Sequence, residues 1–130
     1  MTVELVSPET ILWKGESTQV VARTLDGDIA FLANHAPFVG ALDIAEVRIW
    51  ADGPEPMALA VHGGFVEVSY NSVTILSDVA EFAADIDSAR AQVAADRATA
   101  VLQANSDDEQ AAAALKRATV RLRVANGLAG

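Results

Sequence analysis

Glu81-Phe82-Ala83-Ala84-Asp85-Ile86-Asp87-Ser88-Ala89-Arg90-Ala91 is the stretch where the chain changes character. Upstream, Val, Ile, Thr and aromatic residues are punctuated by Gly and Pro, the composition of strands and tight turns. Downstream, Ala dominates and no Pro recurs. Ala loses no side-chain entropy in a helix, whereas an internal Pro would remove a backbone donor. Two structural regimes are therefore expected. Residues 1–84 should form a β-sandwich or flattened barrel of about ten short strands, and residues 85–130 an antiparallel α-helical hairpin.

The strand expectation rests on spacing. Thr18–Thr24 is β-branched and apolar, and Leu25-Asp26-Gly27-Asp28 after it has turn chemistry. Ile29–Leu32 is a short apolar run, followed by a second break at Asn34-His35-Ala36-Pro37, where Asn suits the left-handed region and Pro ends pairing. In Glu46–Trp50, Val47 and Ile49 share one face, and Glu46, Arg48 and Trp50 the other. After the loop Asp52–Pro56 come Ala58–His62, Phe65–Ser69, Val73–Ser77 and Val79–Phe82, with Gly63-Gly64 and Tyr70-Asn71-Ser72 read as turns.

The helical expectation rests on caps. Asp87 is a good N-cap for a helix running to about Gln103, with Asn105 as its stop. Ser106-Asp107-Asp108-Glu109 has the form of a capping box opening a second helix to about Asn126, and Gly127 suits the left-handed residue beyond it. So short a connection forces the helices antiparallel. Ala111, Leu115, Ala118, Leu122 and Ala125 form a seam, matched by Ala91, Ala94, Ala98 and Val101. Such an Ala-rich seam buries little apolar area against a large ordering entropy, so the hairpin should be held loosely and be able to change pose.

Charge separates the same two parts. Residues 1–86 carry thirteen acidic and three basic side chains, and residues 87–130 five acidic and six basic, for a net −9. That balance argues against nucleic acid as the main partner. The last part concentrates Lys116, Arg117, Arg121 and Arg123 with no acid among them, which fits either a partner surface or a solvated helix face. Met1-Thr2-Val3-Glu4 lacks the basic and apolar regions of a signal peptide, and no apolar run approaches the roughly 20 residues that span a bilayer.

No constellation marks a catalyst. There is no Cys, the two histidines, His35 and His62, lack metal-ligand spacing, and packing accounts for each. Gly63-Gly64 lacks the Lys and Ser or Thr of a phosphate loop. Asp87 and Arg90, three apart on a first helical turn, are more suggestive. A carboxylate accepts from an amine or hydroxyl and a guanidinium forks onto phosphate, although from spacing alone a surface ion pair is the better account.

In order and spacing, Leu25-Asp26-Gly27-Asp28-Ile29, Asn34-His35-Ala36-Pro37-Phe38, Gly63-Gly64-Phe65-Val66-Glu67-Val68, Val73-Thr74-Ile75-Leu76-Ser77-Asp78 and Ile86-Asp87-Ser88-Ala89-Arg90-Ala91 closely resemble the epsilon subunit of bacterial rotary ATP synthase. The resemblance implies a non-catalytic central-stalk subunit with no required cofactor, peripheral on the cytoplasmic face of the plasma membrane and touching the membrane only through the complex. It implies that the sandwich binds the gamma subunit and the c-ring, with Asp28, Asn34, His35 and Ala36 at the matching turns. It implies that the hairpin restrains ATP hydrolysis by meeting the catalytic beta subunit through Lys116, Arg117, Arg121 and Arg123. It also implies regulatory ATP binding at Glu81, Ile86, Asp87, Arg90, Ala91, Arg97, Arg117 and Arg121. The alternative is a stand-alone ATP-sensing adaptor. One departure stands out: the family's Gly-Ile-Leu-Pro-Gly turn is Ala30-Phe31-Leu32-Ala33-Asn34 here.

Overall fold

A computed structural model describes residues 1–127. Eight strands precede two helices: β1 Thr2–Val6, β2 Ile11–Glu16, β3 Gln19–Thr24, β4 Gly27–Leu32, β5 His35–Trp50, β6 Met57–Tyr70, β7 Ser72–Leu76 and β8 Ala80–Phe82. A single 3-10 turn, Ala83–Asp85, leads to α1 Ser88–Ala104 and α2 Glu109–Ala125. The expected class, a strand-built sandwich followed by a helical hairpin, is what forms.

The strands are fewer and longer than their punctuation suggests. Gly63 and Gly64 do not turn the chain. They adopt φ of 83° and 119° inside β6, which runs straight through. Pro37 does not end pairing either, because it falls where the β5–β6 register is irregular, between His35 and Phe38. A missing N–H breaks no ladder bond at such a site. The turn preceding β5 is only Ala33-Asn34, with Asn34 at φ 65° as its chemistry suggested. β1 and β2, not anticipated from the sequence, form an antiparallel pair, and β1 joins β7 in parallel.

The long β5–β6 ribbon makes the sandwich. Its ladder skips Asp43 and Gly63, and there the inward-facing parity reverses. On β6, Leu59 and Val61 are buried before the skip, and Val66 and Val68 after it. On β5, Leu42 is buried before it, and Val47 and Ile49 after. A side-chain period of two makes such a reversal impossible without an irregularity. One half of β6, Phe65–Ser69, pairs with β7; the other, Leu59–Val61, pairs with β8. The ribbon thus contributes one half to each layer, and both layers fill one core of Val3, Leu5, Val20, Phe31, Val47, Ile49 and Ile75 with the residues above. Gly64 is obligatory at the bend, since a Cβ there would lie 2.0 Å from the Leu76 carbonyl oxygen.

The helices cap as expected at three ends of four. The Asp87 carboxylate accepts from the Arg90 amide at 3.0 Å, Asn105 closes α1, and Gly127 follows α2 at φ 68°. The exception is the start of α2. Asp108, not Ser106, is the N-cap, accepting from the Ala111 amide at 2.9 Å. The Asn105 side chain accepts from the Asp107 amide and holds the intervening residues in a turn, so the helix begins later. The interhelical seam also shifts. Ala91, Ala95 and Ala98 are buried on α1 and Ala111 and Ala118 on α2, while Val101 is exposed. A second α2 face, Val120 and Val124, packs on the outer surface of β5 and β6 over Ala60, with Ile44, Ala58 and Ile86 around it.

Candidate functional site

The seam stretch ends up at the junction of the hairpin and the sheet. β8 carries Glu81, the segment after it carries Asp85 and Ile86, and the first turns of α1 carry Asp87, Arg90, Ala91, Val93, Ala94 and Arg97. With Arg121 of α2 these residues line one cleft of about 540 Å³. That falls within the roughly 300–1,000 Å³ common for small-molecule sites. Glu81, Ile86, Asp87, Arg90, Ala91, Arg97 and Arg121, singled out from the sequence, are therefore brought together. Arg117 is not among the lining residues.

Three guanidinium groups face three carboxylates in this cleft, so their engagement decides what remains for a ligand. The Arg121 Nε–H donates to Glu81 Oε1 at 2.7 Å. His62 Nε2 reaches the same oxygen at 2.8 Å. Burial pushes the Glu81 carboxyl up, but the hydrogen bonds from Arg121 and His62 outweigh it and hold it below the usual carboxylate range. Asp87 Oδ1 is committed to its helix cap. Neither Arg90 nor Arg97 has a side-chain ion pair among the described residues. Cationic donors at Arg90 and Arg97, with an acceptor at Asp87, can hold a phosphate-bearing ligand that also carries an amine or hydroxyl.

The basic cluster of the second helix is divided by docking. Lys116 Nζ pairs with Asp43 of β5 at 2.5 Å, and burial, which raises the Asp43 carboxyl, is overcome by Lys116 and the Ile44 amide. Arg121 is held by Glu81, while Lys116 and Arg123 border a separate groove with Arg23 and Arg48. In this pose the four cations do not present one surface.

The remaining predicted contact residues lie at opposite ends of β4. Asp28, which pairs across the ladder with Arg23, also bonds its guanidinium at 2.8 Å and sits within the strand, not in the turn. At the other end, the Asn34 amide donates to the Tyr70 carbonyl, and His35 packs edge-on to Phe31 at 5.2 Å. Ala36 follows, with its carbonyl against the His35 ring at 2.7 Å.

One surface was invisible in the sequence. On the outer face of the layer away from the hairpin, register aligns Ile11 with Val6, Val6 with Leu76, Leu76 with Phe65 and Phe65 with Ala41. Val39 lies one inter-residue repeat along β5 on the same face. This apolar row crosses five strands, and Phe65 is 57% and Val39 72% exposed. Only strand alternation beside already fixed neighbours reveals it, because each residue alone reads as an ordinary strand residue.

Comparison with known proteins gives a consistent result. A family model described as ATP synthase, Delta/Epsilon chain, beta-sandwich domain matches residues 1–83. An ATP synthase epsilon chain from Symbiobacterium thermophilum is 46% identical over 132 residues, covering 98% of this chain and 94% of that protein. One from Brevibacillus brevis is 46% identical over 98 residues, covering 75% and 74%. Among solved structures, a chain of the Euglena gracilis mitochondrial ATP synthase (OSCP/F1/c-ring) has a TM-score of 0.71 at 23% identity, covering 95% of this chain and 76% of that one.

Proposed function

This chain belongs to the ATP synthase epsilon-chain family, and on that premise we propose that its strands join the rotor to the central shaft while its hairpin regulates the complex. The observation that carries the coupling role is the uncovered row of Ile11, Val6, Leu76, Phe65 and Val39. Contiguous exposed apolar surface marks a protein interface. The hairpin covers the other layer, which leaves this one for the gamma shaft. The end of the sheet holding Asn34, His35 and Ala36, and the β4 position of Asp28, are assigned to the gamma and c-ring contacts.

Binding of the full chain to purified gamma tests this. Phe65→Asp should weaken it by at least about 30-fold, as expected for a central interface residue. Glu9→Ala, an exposed change outside the row, should leave it intact. Equal affinity of Phe65→Asp and the parent chain would falsify the assignment.

The regulatory role rests on the divided cation cluster. Release from Asp43 and Glu81 would free Lys116 and Arg121 to join Arg117 and Arg123 against an acidic segment of the beta subunit and restrain hydrolysis. A chain ending at residue 87, assembled into the complex, should hydrolyse ATP faster than the complex with the full chain. In this reading the subunit acts on the complex through its contacts and carries no catalysis of its own.

A second reading, regulatory ATP binding, is favoured by the cleft geometry. Arg90 and Arg97 supply phosphate donors, Arg121 closes the far wall, and Asp87 offers an acceptor to the base or ribose. Titration calorimetry of the isolated chain with ATP should show saturable heat that Arg90→Ala abolishes. Silence from the parent chain at millimolar ATP removes this reading and leaves the mechanical one standing.

A further inference from the structure

His62 projects from β6 beneath α2, with its side chain 3% exposed. It is the second ligand of the Glu81 oxygen that Arg121 also uses. An ionised carboxylate only accepts, so Nε2 carries the imidazole proton. Nδ1 is buried and has no hydrogen-bond partner among the described residues. A second proton, on Nδ1, would therefore occupy a site with no acceptor, at the cost of an unsatisfied buried donor.

The charged surroundings make this costlier while the hairpin is docked. From β8, Glu81 faces His62; from α2, Arg121 and Arg117 do. From β5, the residue opposite is the apolar Ile44, and Asp43 beside it is occupied by Lys116. Protonated His62 would thus share one carboxylate oxygen with Arg121, with Arg117 as a further cation. Without α2, both arginines depart and Glu81 remains on the sheet as a counter-ion for imidazolium alone.

We propose that His62 is a proton-sensitive positioning residue: neutral, it aims Glu81 at Arg121 and latches the hairpin, and on taking up a proton it replaces Arg121 as the partner of Glu81 and releases α2. Burial, aided by Arg121 and Arg117, holds the imidazole below its ordinary 6.5 despite the Glu81 hydrogen bond. The sign follows. The docked form prefers the neutral ring, so docking is strongest above the pH at which the released imidazole titrates and weakens as pH falls from there toward the lower docked value. Glu81 itself stays ionised there, since its carboxyl is held below 4.5. This inference rests on the hairpin being able to change pose, and needs no nucleotide.

The chain has no cysteine of its own, so Ala58→Cys, partly buried against Val120 and Val124, reports release as a rise in thiol labelling of the full chain above its docked rate. Rates are normalised to free cysteine at each pH. Between pH 7.5 and 5.5 the normalised rate should rise about fivefold, most of the tenfold limit set if release eases proton binding tenfold. His62→Gln, which keeps a donor but cannot titrate, should flatten the profile, with His62→Ser as a second variant should Gln disturb the sheet. By NMR, Arg121→Ala should raise the pH at which the His62 imidazole titrates. A flat parent profile, an unchanged slope in both His62 variants, or an unmoved imidazole midpoint each overturns the latch. If Arg121→Ala increases labelling while the parent stays flat, only the latch fails. If labelling never increases under any condition, the mobile hairpin fails with it.

Discussion

The two outer faces of the sandwich make an instructive contrast. Both present apolar residues. One is covered by the chain's own helix, through Val120 and Val124 on Ala60, and the other is left bare along Ile11, Leu76, Phe65 and Val39. The covered face uses small residues and a few ion pairs, Lys116–Asp43 and Arg121–Glu81. The inner core, by contrast, contains Phe31, Leu5, Ile49, Leu59 and Ile75, each fully buried and worth about 1.5–3 kcal/mol. The sheet is therefore fixed by volume, and the hairpin by a thin apolar contact with polar fastenings. A part attached that way can be displaced without unfolding its base.

Changes that separate the sheet from the hairpin test this contrast. The largest effect is expected at Gly64→Ala, where Cβ would collide with the Leu76 carbonyl and φ is 119°. Stability to urea should fall by at least about 3 kcal/mol, and both regions should be lost together. Survival of the sheet would show that the bend tolerates a side chain. Next comes Ala118→Leu, which places three extra carbons at a site with no exposed surface. Amide protection across α1 and α2 should drop by about 1–3 kcal/mol, with β1 to β7 unaffected. If the sheet loosens equally, the division between volume and fastening is wrong.

Smaller effects come from the fastenings. Glu81 has a depressed value in the folded chain, so its contribution is present above its ordinary 4.5 and disappears as pH falls through the folded value. Acid below 4.5 should therefore loosen the hairpin further, and Glu81→Gln should shrink that step to the part that Asp43 contributes through Lys116, as followed by thiol labelling at Ala58→Cys. Lys116→Ala should cost less than about 1 kcal/mol, because the lysine is half exposed and solvent screens the pair. A double-mutant cycle with Asp43→Asn measures the coupling directly.

Most elements were legible because they depend on neighbours in sequence. The Asp87 cap, the Asn105 stop, the left-handed Asn34 and Gly127, and the Val47/Ile49 alternation are all settled within a turn or a strand. The misread positions needed distant partners. Gly63-Gly64 looks like a hairpin turn in isolation, and only pairing with β5 on one side and with β7 and β8 on the other keeps the strand running through it. Among the cleft residues at the start of α1, Asp87 and Arg90 stood out by helical spacing, whereas Ala91 and Arg97 entered only through the family resemblance. Glu81 and Arg121, forty residues apart, meet only because α2 folds onto the sheet, and His62 had no visible partner until they did.

Sequence alone determined the change from strands to helices at the Glu81–Ala91 seam and the chemistry of Asp87 and Arg90, since local propensity and i,i+3 spacing act without reference to the rest of the chain. Tertiary structure alone decided which outer face stays bare, how the ribbon reverses parity at Asp43 and Gly63, and that His62 and Arg121 converge on one oxygen of Glu81. Those depend on register and docking, which are set by volumes and hydrogen-bond partners far apart in sequence.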